Sequence, residues 1–234
     1  MTENNHTAKW PKQLPPLTED QIRIRDDFMS VWLEILPKRF GAIEWFNHRY
    51  PLRTMCPAGS TLEIGAGSGA HLQYEDLSKQ KYTAVELRPE LADKIRAAHP
   101  GVNVVTGDCQ QRLSFDDNSF DRALAIHVLE HLPDLPQALD EIKRLLKPGG
   151  SFCAMIPCEG GLAYRMARNI SARRVFEKRY GQSYDWLVAS EHINKPNEIM
   201  DELNARFTRK HSAFFPFLLP GVWMNLVIGL VYTK

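Results

Sequence analysis

The 234-residue sequence has almost no excess of either charge: 29 Lys and Arg stand against 28 Asp and Glu, a formal net charge of +1. Strong electrostatic attraction to nucleic acid or anionic membrane is therefore not written into the chain as a whole, although local patches remain open. Cysteine is scarce as well. Cys56, Cys109, Cys153 and Cys158 show no C-x-x-C spacing, and with no secretory signal they read as reduced thiols of a cytoplasmic protein. Cys153 and Cys158 flank a predicted strand, but no His or third Cys stands at ligand spacing, so no metal site is expected. Nor is there an unbroken apolar span. Residues 213–231 carry no charge, a run of transmembrane length, yet Pro216, Pro220 and Gly221 interrupt it. It reads as two strands, about residues 207–215 and 225–232, joined by a Pro-rich loop. Phe214, Phe215, Phe217, Leu218, Leu219 and Trp223 then form an apolar lip for a lipidic substrate or for the partner in a homodimer.

What is present is ordinary globular usage, 44% hydrophobic and 24% charged, long enough for one domain with a full core. Residues 1–16 are polar and proline-bearing and read as a loose arm. Thr18-Glu19-Asp20-Gln21 matches a capping box, and an apolar face follows through Ile22, Phe28, Met29, Trp32, Leu33, Ile35 and Leu36 to a stop at Pro37. With the aromatic segment 43–50, this helix is expected over the mouth of a ligand site or along the sheet edge. Residues 60–157 alternate strand and helix, a rhythm that demands a parallel sheet with right-handed crossovers. The helix after the fourth strand is expected at about residues 136–146, ended by Pro148-Gly149-Gly150.

The most informative stretch is Leu62-Glu63-Ile64-Gly65-Ala66-Gly67-Ser68-Gly69. Glycine takes positive φ at no steric cost and has no Cβ, so the chain can turn tightly from strand toward helix and lie against a flat or charged ligand. A tight turn without a ligand has the same composition. Two details narrow the choice. The spacing is G-x-G-x-G rather than the G-x-G-x-x-G of dinucleotide folds, and the Glu63 carboxylate stands two residues before the first glycine. Phosphate sites avoid fixed negative charge, so the ligand near the turn is expected to be neutral or cationic. A second acid, Glu86, ends the β-rich run 81–85, about twenty residues past the turn, where ribose hydroxyls are held. A third, Asp108, follows the run 102–106 and can accept from an exocyclic amine. All three lie at carboxyl ends of strands, where open α/β sheets bind ligands.

With these residues in place, the chain resembles the class I S-adenosylmethionine-dependent methyltransferases, in particular their small-molecule, type-11-like branch. The likeness is close over about residues 58–157 and one of layout elsewhere. It rests on an ordered set: residues 62–69, Glu86, Asp108 with Cys109, the strand Phe120-Asp121-Arg122-Ala123-Leu124-Ala125-Ile126 with His127 at its end, Leu129-Glu130-His131-Leu132, and Leu145-Leu146-Lys147-Pro148-Gly149-Gly150 before a fifth strand. The resemblance implies a Rossmann-like, doubly wound α/β fold with a seven-stranded, mostly parallel sheet, an antiparallel C-terminal strand, and helical additions at the N-terminus and after strand five. It implies S-adenosylmethionine as cofactor and S-adenosylhomocysteine as product. The cofactor residues it implies are Glu63, Gly65, Ala66, Gly67, Gly69, Glu86, Leu87, Asp108, Cys109 and His127. A sulfonium cation without phosphate agrees with Glu63 beside the turn. The expected layout is a single methyltransferase domain over residues 1–234, with arm and helices at 1–57, cofactor core at 58–157, substrate-side cap at 158–195, and C-terminal helix and hairpin at 196–234.

Methyl transfer is an in-line displacement at an activated carbon, so positioning and desolvation supply much of the rate, and a base is needed only where the acceptor must lose a proton. Among His127, His131, Glu159 and His192, His192 in the cap ranks first as base, and His127 ranks first as a residue beside the cofactor. His131 reads equally as a structural residue. Residues 162–180 read as one amphipathic helix or two, with Arg165, Arg168, Arg173, Arg174, Lys178 and Arg179 against the single acid Glu177. That is either a solvated basic face or a site for an anionic substrate at Arg165, Arg168, Arg173 and Arg174. The acceptor is expected to be a small molecule, sugar or lipid, methylated at oxygen. Against a macromolecular acceptor stand the near-neutral charge and Ile126-His127-Val128-Leu129 in place of an Asn-Pro-Pro-Tyr motif, so nucleic acid is not an expected partner. A non-catalytic cofactor-binding protein is the other alternative, although the binding set is complete.

Overall fold

The strands are β1 (Ser60–Ile64), β2 (Lys81–Glu86), β3 (Asn103–Thr106), β4 (Phe120–Ile126), β5 (Leu146–Pro157), β6 (Thr208–Phe215) and β7 (Val227–Thr233), with β-branched and small apolar residues in the central ones and a polar, exposed start to β6. They lie in one sheet in the order β3-β2-β1-β4-β5-β7-β6, in a computed structural model that describes residues 9–234. Strands β1 to β5 are parallel, and β7 runs against both its neighbours, β5 and β6. The C-terminal end of β6 therefore faces the same sheet edge as those of β1 to β5. Strand order reverses between β1 and β4, which opens a crevice at that carboxyl edge. This is the architecture the sequence predicts, final hairpin included.

The helices are α1 (Glu19–Arg39), α2 (Gly41–Arg49), α3 (Pro89–Ala98), α4 (Leu135–Leu145), α5 (Leu162–Ile170), α6 (Ala172–Tyr180), α7 (Asp185–Glu191) and α8 (Pro196–Arg206). On one sheet face, Leu139 and Ile142 of α4 and Ile199 and Leu203 of α8 bury Leu62, Ile64 and Ala123. On the other, Phe46 of α2, Ile95 of α3 and Tyr50 bury Ala84, Leu124 and Met155. Cys153 lies within β5 rather than beside it, and Cys158 follows its end.

Strand and helix do not alternate throughout residues 60–157. Helices α3 and α4 fill the crossovers β2–β3 and β4–β5, whereas β1 passes to β2 through 3-10 turns at Leu72–Tyr74 and Leu77–Lys79, and β3 passes to β4 through a loop. Side chains explain both departures. Asp76 accepts from the backbone N and hydroxyl of Ser78, an alternative to helical bonding. Glu141 accepts from Leu113 N, and Arg144 donates to the carbonyls of Leu113 and Phe115, so the loop backbone is satisfied without a helix.

At the N-terminus, Thr18 and Gln21 form the expected reciprocal capping box. The helix nevertheless runs on to Arg39 instead of stopping at Pro37. A proline near a helix C-terminus removes one N–H bond, and the last turn survives that loss. Helix α1 packs on α6 and α7 rather than along the sheet edge: Ile24 and Phe28 are buried with Phe176 of α6 and Leu187 of α7, the Phe28 and Phe176 rings 5.1 Å apart and edge-on. Ile22, expected on the apolar face, is 42% exposed. The Leu33 and Leu36 side chains and residues 1–8 of the arm lie outside the described residues. Residues 10–12 of the arm are held, not loose. Lys12 Nζ donates to Ile193 O at 2.9 Å and to Glu198 Oε2 at 2.7 Å, and Trp10 packs on the core.

Residues 162–180 resolve into two helices that break at Ser171. The uncharged run 213–231 is the end of β6, a loop and β7. No helix among the described residues is long and apolar enough to cross a membrane.

Candidate active site

The three glycines after β1 have φ of +65°, +58° and +83°, the left-handed region that glycine enters without strain. Gly65 is also a close approach. A Cβ there would lie 2.4 Å from Val128 Cγ2, so the turn seats against the segment that follows β4. Where a Cβ on Gly67 would stand there is open space. The Glu86 carboxylate accepts from Gly67 N at 2.8 Å and from Arg88 N at 3.1 Å, which ties the ends of β1 and β2 together. Leu87, the next residue, is 62% exposed and offers an apolar surface at the strand end. Gly107 N donates to Glu86 O, and this brings Asp108 alongside. Its Oδ1 accepts from the backbone and side-chain nitrogens of Gln110, next to a pocket of about 260 Å³ lined in part by Asp108, Leu113 and Phe115. Cys109 is turned into the core, and burial pushes its thiol up to about 12.

Glu63 departs from its expected place. Side chains alternate along a strand, and Leu62 and Ile64 fill one core, so Glu63 must point to the opposite face. It is 3% exposed, and its Oε2 accepts from Tyr82 OH at 2.9 Å. Burial pushes its carboxyl up to about 8, so the group is largely protonated at neutral pH. It presents no open carboxylate at the turn. The charge beside the glycines is that of Glu86.

At the carboxyl end of β4, His127 has φ +53° and donates its backbone N–H to Met155 O. A non-glycine residue held in this region is strained, and such residues cluster at functional sites. Its Nδ1 lies 3.2 Å from Oε1 of Glu130, a fully buried carboxylate in the 3-10 turn Leu129–His131. Burial opposes the charge of Glu130, but His127 and His131 hold its pKa below the usual range. The His131 ring meets the His192 ring edge-on at 5.1 Å, and burial lowers its own pKa. His192 Nδ1 lies 3.0 Å from Glu159 Oε2, while Arg168 Nη1 donates to Glu159 Oε1 at 2.5 Å.

Fully buried Asn194 fixes this meeting. Its Nδ2 donates to Leu129 O and Leu132 O at 2.8 and 2.7 Å, and the backbone N–H groups of Ile193 and Asn194 donate to Glu130 O. The structure thus gathers His127, His131, His192 and Glu159 at the carboxyl edge. Glu130 and Asn194 join them, and neither stands out in the sequence except through the Glu-His pair. The basic face is less available than its composition implies. Arg168 pairs with Glu159, and Arg173 pairs with Glu177 and Asp185, whereas Arg165 and Arg174 are exposed and have no ion pair among the described residues.

Residues 62–154 match the family model described as "Methyltransferase domain". With the strand order and the glycine turn, that match makes residues 62–154 a methyltransferase domain with the fold of the class I S-adenosylmethionine-dependent methyltransferases. A probable phthiotriol/phenolphthiotriol dimycocerosates methyltransferase 2 of Mycobacterium ulcerans (strain Agy99) is 32% identical over 140 residues, 55% of this chain and 54% of that protein. The sterol 4-C-methyltransferase strm-1 of Caenorhabditis elegans is 38% identical over 98 residues, 39% of this chain and 29% of that protein. The chain thus spans about half the length of the first relative and less than a third of the second. Among solved structures, the PH0226 protein of Pyrococcus horikoshii OT3 superposes with a TM-score of 0.62 over 83% of this chain and 90% of its own, at 18% identity. S-adenosylmethionine is the cofactor this family and fold imply, and the residues present suit it: a glycine turn open at Gly67, an acid bonded to that turn, and an exposed apolar side chain beside the acid.

Proposed function

We propose that this chain transfers the methyl group of S-adenosylmethionine to a hydroxyl oxygen of a small, lipid-like acceptor, with His192 as general base, and that it acts as one domain whose residues 158–195 cap the acceptor. The observation that carries the reading is the His192–Glu159 pair at 3.0 Å, stapled by Asn194 to the turn that abuts Gly65. A carboxylate that accepts from Nδ1–H leaves Nε2 as the basic nitrogen. Two relatives whose names carry lipid or sterol substrates support the acceptor class.

When bound, the cofactor supplies a methyl carbon already activated by its sulfonium. The chain's own residues do the rest. In this reading Gly65, Ala66, Gly67 and Gly69 let the backbone approach the ligand, Glu86 holds the ribose hydroxyls, Leu87 covers the adenine face and Asp108 accepts from its amine. Glu130 orients His127 beside the cofactor. Glu159, neutralised by Arg168, orients His192, whose Nε2 takes the proton from the acceptor hydroxyl.

Titration calorimetry with S-adenosylmethionine tests the first half. The wild type gives heat, and Glu86→Ala binds roughly ten- to a hundredfold more weakly, the loss of a charged hydrogen-bonding partner; a wild type that gives no heat overturns the reading. For the second half, a methyl-labelled donor and a lipid extract yield an organic-soluble product that carries a new O-methyl by NMR. Label in protein or RNA points to a macromolecular acceptor, and a new C-methyl removes the oxygen assignment.

A further inference from the structure

The loop 216–224 that joins β6 to β7 contains no charged residue, and it leaves the sheet at the same edge as the crevice. Phe217, Leu218, Leu219 and Trp223 are 55%, 73%, 70% and 61% exposed. Apolar side chains of that size normally fold back onto a core; here the backbone is pinned so that they do not. Asn225, 1% exposed, accepts from Phe217 N at 3.1 Å through Oδ1 and donates to Leu219 O and Gly221 O at 2.9 and 2.8 Å through Nδ2. Leu218 is held at φ +59°, and its N–H donates to Phe214 O.

The loop is also fastened to the cap. Trp223 O accepts from Ala163 N at 3.1 Å, and Val222 O sits so close to Gly161 that a Cβ there would stand 2.2 Å from it. Along α5 the apolar surface continues through Met166 and Ile170, four residues apart and 59% and 60% exposed. Exposed Arg165 lies beside them, and neither α5 nor the loop contains an acid.

We propose that this loop and the outer face of α5 dock on an anionic lipid bilayer, with the loop seated at the boundary between headgroups and acyl chains and Arg165 at the phosphates. At the headgroup boundary the backbone still meets water, and five polar backbone groups of the loop, on residues 217, 218, 219, 221 and 223, are bonded internally, which lowers the cost of lying beside hydrocarbon. An interface with another protein draws on hydrogen-bonding groups, about one bond per 100–200 Å², and this surface offers few. Net positive charge beside an apolar patch is the pattern that favours anionic lipid. The inference stands whether or not the methyl acceptor is itself a lipid.

Sedimentation of the full chain with vesicles of phosphatidylcholine, with and without phosphatidylglycerol, tests it. The wild type sediments with the anionic vesicles, and added salt weakens the binding. The double variant Leu218→Ser, Leu219→Ser binds them at least roughly tenfold more weakly, with melting temperature and cofactor titration unchanged as the check that it folds. Arg165→Ala loses roughly fivefold on anionic vesicles and nothing on neutral ones. A wild type that leaves both vesicle types alone overturns the proposal. A wild-type dimer by light scattering that the double variant converts to monomer, without vesicle binding, also overturns it and assigns the surface to a second copy of the chain.

Discussion

Two clusters built from the same residue types sit on either side of the glycine turn. In one, His71, Glu75 and Arg122 are 1%, 9% and 0% exposed. Glu75 Oε1 bonds Arg122 Nη1 and His71 Nε2, each at 2.8 Å, its Oε2 accepts from Gln80 Nε2, and the other two guanidinium nitrogens donate to Thr54 Oγ1 and Pro51 O. In the other, Glu130 is as deeply buried, but its Oε2 has no partner among the described protein groups, and His131 Nδ1 makes no hydrogen bond. His127 and His192 keep side-chain exposures of 30% and 23%. The first cluster is saturated and closed, so it holds architecture. The second keeps donors and acceptors in reserve at the crevice, which is what a site for chemistry requires.

The largest effect expected of breaking that contrast comes from the closed cluster. Arg122→Met leaves Glu75 buried without its countercharge and costs about 3–5 kcal/mol of stability by urea denaturation, while the cofactor affinity of the folded fraction stays the same. Burial opposes the Glu75 charge, but His71 and Arg122 hold the carboxyl down at about 2. Its contribution is therefore complete above the ordinary value of 4.5 and is lost as pH falls toward 2. A loss under about 1 kcal/mol for Arg122→Met would show that the sheet does not depend on this pair.

Next comes the open cluster. His192→Ala lowers turnover about 10²–10⁴-fold, with denaturation and cofactor titration unchanged, since the side chain is partly exposed and its segment is held by Asn194. Glu159→Gln acts through His192, so its signature is a shifted acid limb in the pH–rate profile. If stability falls with His192→Ala as it does with Arg122→Met, the two clusters are the same kind of object and the contrast fails.

The sequence makes the local half of this legible. Glycine spacing locates the turn, β-branched runs locate the strands, and the prolines of residues 213–231 rule out a span, because each of these signals acts within a few residues. What it hides is set by distance along the chain. Arg122 is buried in β4, and its partners Glu75 and Thr54 lie 47 and 68 residues away. Composition leaves the pairing of the basic face open because Glu159 and Asp185, which occupy Arg168 and Arg173, stand 9 and 12 residues off on other turns of chain. Asn194 has no local pattern at all. Glu63 was visible, but its direction was not, since strand parity decides it only once Leu62 and Ile64 are known to fill one core.

That direction yields the finest test of the contrast. A carboxyl raised from 4.5 to about 8 keeps its proton in the folded chain across a window where the unfolded chain has lost it. Stability therefore falls as pH rises through that window and levels off above it, with a slope of at most about 1.4 kcal/mol per pH unit. Buried His71 and His131, whose pKa values lie below 6.5 because of burial, work in the opposite sense at its acid end. Both histidines remain in Glu63→Gln, so subtracting the variant's profile from the wild type's isolates the carboxyl, and the amide oxygen still accepts from Tyr82. Melting curves from pH 5 to 8 are expected to show the wild type losing ground steadily to the variant. Parallel profiles would mean that Glu63 is ionised throughout, a buried charge bonded to Tyr82 rather than a neutral carboxyl.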